Sequence, residues 1–209
     1  ICVGSDSMKN IFINKSLALI KKYYPNYDDI KIAEIKYGLE GMYLTITKLV
    51  IIFSIALMLN IYKEMLLLLI FFNIMRTTGF GLHATKSWIC LLSSTLIFIG
   101  LPFVSKIIII SLPIKIILGA LAIILVYKYA PADTKKRPLI NPKTRRKLKI
   151  KTIFRTTILM IFAIIIKNNI ISNLVIFGIY TEIILIIPIS YKIFNLSYNN
   201  YLTYKLQMD

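Results

Sequence analysis

Six apolar stretches, at roughly residues 43–60, 61–75, 88–105, 107–127, 153–167 and 170–190, constrain this chain more than any other feature. A bilayer core offers no water to backbone N–H and C=O groups, so a chain that crosses it must satisfy those groups internally. Helices packed as one bundle do this. Hydrophobic residue types make up 57% of the sequence and the mean hydropathy is +0.74, beyond what a water-soluble domain carries. The expected fold is therefore all-α: a polytopic integral membrane bundle of about six transmembrane helices. Several spans fall short of the ~20 residues that cross a bilayer comfortably.

Charge sets the orientation. The chain has 26 Lys and Arg against nine Asp and Glu, a net charge of +17, which raises the question of a nucleic-acid partner. The distribution argues against one, because the basic residues cluster beside apolar spans and no nucleic-acid-binding motif accompanies them. Anionic lipid headgroups and the positive-inside rule account for them, so membrane lipids are the expected partner. Six spans with the N-terminus inside leave only Lys63, Lys106, Lys115 and Lys167 outside or near the outer boundary. Both termini are thus predicted cytoplasmic in a multi-pass protein of the cell membrane. The same topology puts Arg76 to Ser87 and the 128–152 loop on the cytoplasmic side.

The ends are more polar. Residues 1–7, before Met8, lack the charged start and apolar stretch of a signal peptide, and are read as an upstream extension or cloning remnant. Asn10 to Tyr24 patterns as an interfacial amphipathic helix ended by Pro25. A second polar helix begins near Asn26 to Asp29, carries Lys36 and Glu40 as an i,i+4 pair, and runs into the first span. The expected organisation is a single membrane domain over 8–209: cytoplasmic or interfacial helices at 8–42, the transmembrane bundle at 43–190 and a cytoplasmic tail at 191–209.

The chemistry concentrates between Arg76 and Cys90. The chain's one histidine, His83, stands seven residues before Cys90, and in a helix that spacing is two turns and one face. An imidazole beside a thiol can take its proton and later return it to a leaving amine, which is cysteine-peptidase chemistry. A buried structural cysteine and a hydrogen-bonded structural histidine are the plainer alternative. Favouring function, Arg76, Gly79, Gly81, His83, Lys86 and Ser87 form a polar, flexible island between apolar stretches, and ionisable groups at membrane depth are functional candidates. Cys2 and Cys90 make neither a disulfide framework nor a zinc pattern, so no metal and no cofactor are expected.

A second polar segment, Tyr129-Ala-Pro-Ala-Asp-Thr-Lys-Lys-Arg-Pro138, leads into basic residues that continue to Lys151. Its plain reading is a solvated loop that anchors topology. Its functional reading is an electrostatic receptor for an acidic peptide, with Pro131 and Pro138 presenting Lys135, Lys136 and Arg137 as a group.

Together, Arg76…Gly81-Leu-His83-Ala…Cys90 and Tyr129-Ala-Pro-Ala-Asp-Thr-Lys-Lys-Arg-Pro138 resemble AgrB, the family of integral-membrane cysteine endopeptidases of bacterial quorum sensing. The likeness runs from Met8 over nearly the whole chain, including Leu101-Pro102 and Glu182…Pro188. It implies a short AgrD-like propeptide as substrate, with an amphipathic leader, a central segment holding an internal Cys or Ser, and an acidic C-terminal tail. It implies that His83 and Cys90 are the catalytic pair, and that Arg76, Gly81, Lys135, Lys136 and Arg137 serve processing, with Arg137 where a lysine is common. It also implies a homodimer.

No third catalytic residue is assigned by the sequence; Glu40, Asp133 and Glu182 are the candidate acids to orient His83. Backbone N–H groups near Gly81 or at the start of the helix carrying Cys90 are candidates for an oxyanion hole. The chain lacks His-Glu-x-x-His, Gly-x-Ser-x-Gly and Cys-x-x-Cys, which disfavours zinc, serine and thiol-redox enzymes. The non-enzymatic rival is a small peptide exporter with His83 in a proton relay. Such a relay has no need of the Cys90 thiol.

Overall fold

The structure, a computed structural model, describes residues 2–82, 87–135 and 138–205. Among them the secondary structure is helical, with no strand and one isolated parallel bridge between Phe80 and Ala132. The protein is all-α and of membrane type. Its helices are α1 (Cys2–Tyr23), α2 (Asp29–Met58), α3 (Tyr62–Gly79), α4 (Ser87–Thr95), α5 (Leu101–Ile107), α6 (Leu112–Tyr129), α7 (Pro142–Ile165), α8 (Asn169–Ile186), α9 (Pro188–Ile193) and α10 (Asn200–Lys205).

The chain divides into two compact units, Ile1–Ser54 and Ile55–Asp209. In the first, α1 ends just before Pro25, where the sequence stops it. Asp28 then opens α2 by accepting the Lys31 N–H at 2.8 Å, which satisfies one of the donors a helix start leaves over. The polar helix and the first apolar span are one continuous helix of 30 residues. The ion pair described on it is Lys31 to Glu34, at 3.2 Å, rather than the expected Lys36 and Glu40.

In the second unit several boundaries follow from single residues. Asn60, at φ 53°, takes the left-handed position that closes α2: its N–H reaches Leu57 O, and Ile61 N–H reaches Ala56 O at 2.9 Å. Asn141 caps α7 by accepting the N–H groups of Lys143 and Thr144, with Pro142 at the first helical position; Asn168 caps α8 through the N–H of Ile171. Between α4 and α5 the helix does not stop but widens into a π turn at Leu96–Gly100. Pro102 lacks the N–H that Phe98 O would otherwise receive four residues on, and the wider turn absorbs that loss.

Four helices among the described residues are long and apolar enough to cross a bilayer: Asp29–Met58, Trp88–Ile107, Leu112–Tyr129 and Asn169–Ile186. The other two expected spans are present as α3 and α7. Charge sets them apart, for α3 carries Lys63, Glu64 and Arg76, and α7 is basic from Lys143 to Arg155.

The core lies along α8, which packs against α3, α5, α6 and α7 and buries Leu174, Val175, Ile179, Ile183 and Ile186. Without a hydrophobic drive between helices in lipid, close approach has to come from small residues. Gly178 supplies it, since a Cβ there would lie 2.9 Å from Phe71 Cβ and 3.0 Å from the Phe72 nitrogen of α3. Asn173, fully buried, donates to Ser105 O and Ile108 O at 3.1 and 2.7 Å and so closes the end of α5.

Candidate functional site

α3 ends in a knot of polar contacts. Phe80 takes φ 62° and Gly81 φ 89°, so the chain leaves the helix sharply, and Phe80 to Leu82 are not helical. Their backbone groups are nonetheless satisfied. Gly81 N–H donates to Ala132 O and Ala132 N–H to Gly79 O, both at 3.0 Å, and Leu82 N–H donates to Leu185 O of α8 at 3.0 Å. Gly81 is required twice over: its positive φ disfavours a side chain, and a Cβ would stand 2.6 Å from Leu185 O.

Arg76 gathers this turn from inside. Its guanidinium donates to the carbonyls of Phe80, Gly81 and Leu82, the last at 2.8 Å, and lies 3.5 Å from the Glu182 carboxylate of α8. Three consecutive carbonyls pointing at one cation explain why arginine, with its fan of five N–H groups, occupies the position. Glu182 is fully buried; its Oε2 faces Arg76, and its Oε1 has no hydrogen-bond partner among the described residues. Oε1 lies where Gly79 has no side chain, and a Cβ on Gly79 would come within 2.5 Å of it. From outside, Arg155 of α7 donates to Ile74 O at 2.7 Å and to the hydroxyls of Thr77 and Thr78.

The partner of the turn, Ala130 to Asp133, is held as firmly. The Ala130–Pro131 peptide is cis. Asp133, 2% exposed, accepts N–H bonds from Asn200 at 2.9 Å, Tyr201 at 2.8 Å and Leu139 at 3.4 Å, with Arg145 at 3.9 Å as a charge contact. Its carbonyl accepts the Tyr191 hydroxyl at 2.9 Å. Asp133 thus works as the anchor for the start of α10, and its carboxylate oxygens are occupied. Replacing it with alanine strands those donors and is expected to cost about 2–3 kcal/mol. The check is thermal unfolding in detergent, with faster proteolysis beyond residue 195 in Asp133→Ala; equal stability of variant and wild type would contradict the anchoring.

The expected site residues thus fall into groups. Arg76, Gly81 and Glu182 meet in one network, with Asp133 one residue from Ala132, its backbone partner. Lys135 is exposed just beyond. Cys90 lies four residues into α4, half-buried, and its carbonyl accepts from the Ser93 hydroxyl at 3.3 Å. Glu40 is half-buried on α2, in the first unit. His83, and with it the expected facing of His83 and Cys90, lies outside the described residues, as do Lys136 and Arg137. Sequence reasoning passed over Gly79 as a site residue, although it lies one turn from Arg76 on the same helix face.

These helices and contacts make a polytopic helical membrane protein with a charged network tucked in where α3 and α8 end. Within that class the chain belongs to the family Accessory gene regulator B, whose profile matches residues 12–186. It is 32% identical to an AgrB-like protein of Clostridium acetobutylicum over 83% of each chain, and 34% identical to one of Listeria innocua over 90% of this chain and 92% of that one. It is also 31% identical to the accessory gene regulator protein B of Staphylococcus intermedius, over 84% of this chain and 92% of the relative. No solved structure matches it. Membership assigns the chain to the agr quorum-sensing system.

Proposed function

We propose that the protein is the propeptide-processing cysteine endopeptidase of its agr system. The observation that supports this reading is the Arg76 network: one half-buried cation bonded to the carbonyls of Phe80, Gly81 and Leu82 holds the backbone immediately before His83. Pre-organising the chain next to a general base is what proton transfer requires, since reacting groups must sit within hydrogen-bond reach. Glu182 acts through Arg76 as a positioning residue.

His83 takes the proton of the Cys90 thiol, and the thiolate attacks the carbonyl that joins the ring-forming segment of an AgrD-like propeptide to its acidic tail. As the C–N bond breaks, the tail's new amino group receives that proton from His83, leaving a peptidyl thioester on Cys90. The propeptide's own Cys thiol or Ser hydroxyl then attacks the thioester, its proton passing through His83 to the departing Cys90 sulfur. The product is a thiolactone or lactone ring. Limiting water at a membrane-bordered site protects the thioester long enough for this capture. The site works at the cytoplasmic face, with both termini cytoplasmic, and the protein acts as a homodimer.

Tail recognition falls to Lys135, Lys136 and Arg137. Exposed charges are screened over ~8 Å at physiological ionic strength, so added salt should mimic their loss. Changing all three to Gln is expected to lower kcat/KM for an acidic-tailed propeptide about tenfold. The experiment is processing rate against salt for wild type and triple variant, with acidic and neutralised tails. Equal salt dependence in all four combinations would leave the loop as a topology anchor only.

A further inference from the structure

A cleft of about 480 Å³ opens between the end of α6, the first turns of α7 and the segment before α10. Lys128, Arg145, Arg146 and Lys149 line it together with Tyr198 and Tyr201, and no carboxylate does so among the described residues. Arg145 and Lys149 are one turn apart on the same face of α7. The Arg145 guanidinium lies 3.5 Å from the centre of the Tyr201 ring, which fixes its plane, and its buried Nη1 faces the Asp133 carboxylate at 3.9 Å, so Arg145 forms the cleft's inner wall while Arg146 beside it is exposed. Burial pushes the Tyr198 phenol above its ordinary value, so it remains an O–H donor. A guanidinium held in place at the wall, three further cations in Lys128, Arg146 and Lys149, and a phenol match a tetrahedral oxyanion of low charge, for which arginine is the preferred partner.

Its depth identifies the source of that anion. α6 has 18 residues and so is about 27 Å long, close to the ~30 Å of a hydrocarbon core, and its last residues, Lys128 and Tyr129, form the cleft wall. The opening is therefore at headgroup level. Lys149 leans 4.3 Å over the ring of Tyr127, which is 64% exposed on the outward side of α6, so the cationic surface continues to where lipid stands. Basic pockets beside membrane helices, rimmed by tyrosine, recognise anionic lipid headgroups.

We infer that this cleft is a specific site for the phosphodiester headgroup of an anionic glycerophospholipid. The site does not depend on the peptidase reading. Its test uses the full chain in a mild detergent, with phosphatidylglycerol, phosphatidylcholine, glycerol 3-phosphate and a hexaglutamate peptide as probes. Native mass spectrometry reads bound lipid and thermal unfolding reads stabilisation. The wild type should retain phosphatidylglycerol over phosphatidylcholine and be stabilised by it. In the Arg146→Gln, Lys149→Gln double variant, which leaves Arg145 and its contact with Asp133 in place, retention should be about thirtyfold weaker. A Lys63→Gln, Lys167→Gln variant, changed by the same charge away from the cleft, should retain the lipid as the wild type does. Equal retention by wild type and cleft variant would overturn the site. Stabilisation by glycerol 3-phosphate equal to that by the lipid would make it a soluble phosphate site, and stabilisation by hexaglutamate alone would make it a peptide site; either result overturns the lipid assignment.

Discussion

Cys90→Ala is expected to abolish release of the acidic tail from a cognate propeptide, and His83→Ala to lower it by about 10²–10⁴-fold, while both variants should insert and unfold as the wild type does. The two losses should differ because in the proposed mechanism the thiol forms the bond to the substrate, whereas the imidazole only raises the fraction and the rate at which that thiol can do so. Cys2→Ala should leave cleavage unchanged. The assay is tail release in lipid vesicles, followed by mass spectrometry. A propeptide whose internal Cys or Ser is replaced by Ala is still attacked but cannot close its ring, so a hydroxylamine-sensitive adduct on Cys90 accumulates or linear peptide appears. Near-normal cleavage by Cys90→Ala would sink the mechanism and return the exporter reading to the front. Cleavage without any enzyme-linked species under trapping conditions would instead mean direct attack by water or by the peptide.

Arg76→Met is expected to be the most damaging change outside the catalytic pair. It strips a cation from the carbonyls of Phe80, Gly81 and Leu82 and leaves Glu182 buried without its counter-charge, and breaking a buried pair from one side costs about 3–5 kcal/mol. Glu182→Gln is milder, because its amide oxygen can still face Arg76. It separates the positioning role from a purely structural one: kcat for tail release should fall while KM for the propeptide holds, since the proposed tail-binding residues Lys135 to Arg137 are unchanged and only the backbone held by Arg76 loosens. A parallel rise in KM, or loss of folded protein in step with activity, would count against positioning. Removing both partners, as Arg76→Met with Glu182→Met, should recover part of the stability lost by Arg76→Met alone but none of the activity. Gly79→Ala tests the same pocket from the other side, because its methyl group would press on Glu182 Oε1.

Several features were legible residue by residue. Pro25 marked the end of α1 in advance; Asn60, Asn141-Pro142 and Asn168, which sequence reasoning passed over, are equally local signals, since the backbone group each satisfies or removes is within a few residues of it. The apolar stretches were legible for a similar reason, since span length and composition are properties of one segment. Less was readable where charge and helix coincide. α3 and α7 were expected as spans on their apolar residues, yet the charges at their ends separate them from the four helices that qualify by length and composition. The stretch after residue 190 read as a tail, but α10 is held by Asp133, a residue 67 positions before Asn200, and no local pattern announces that bond.

Glu182 marks the same boundary within the candidate site. That a carboxylate sits in the last apolar span, and that Arg76 stands at the edge of an earlier one, is plain from the residues alone, because burial in lipid makes any such charge conspicuous. That the two face each other across 106 positions of chain emerges only once the helices are packed. Their meeting depends on the register of α3 against α8, which is set where Gly178 lets α8 close onto Phe71 and Phe72, and where Gly79 leaves room for the carboxylate. Such a register comes from the fit of two surfaces, and neither helix contains it alone.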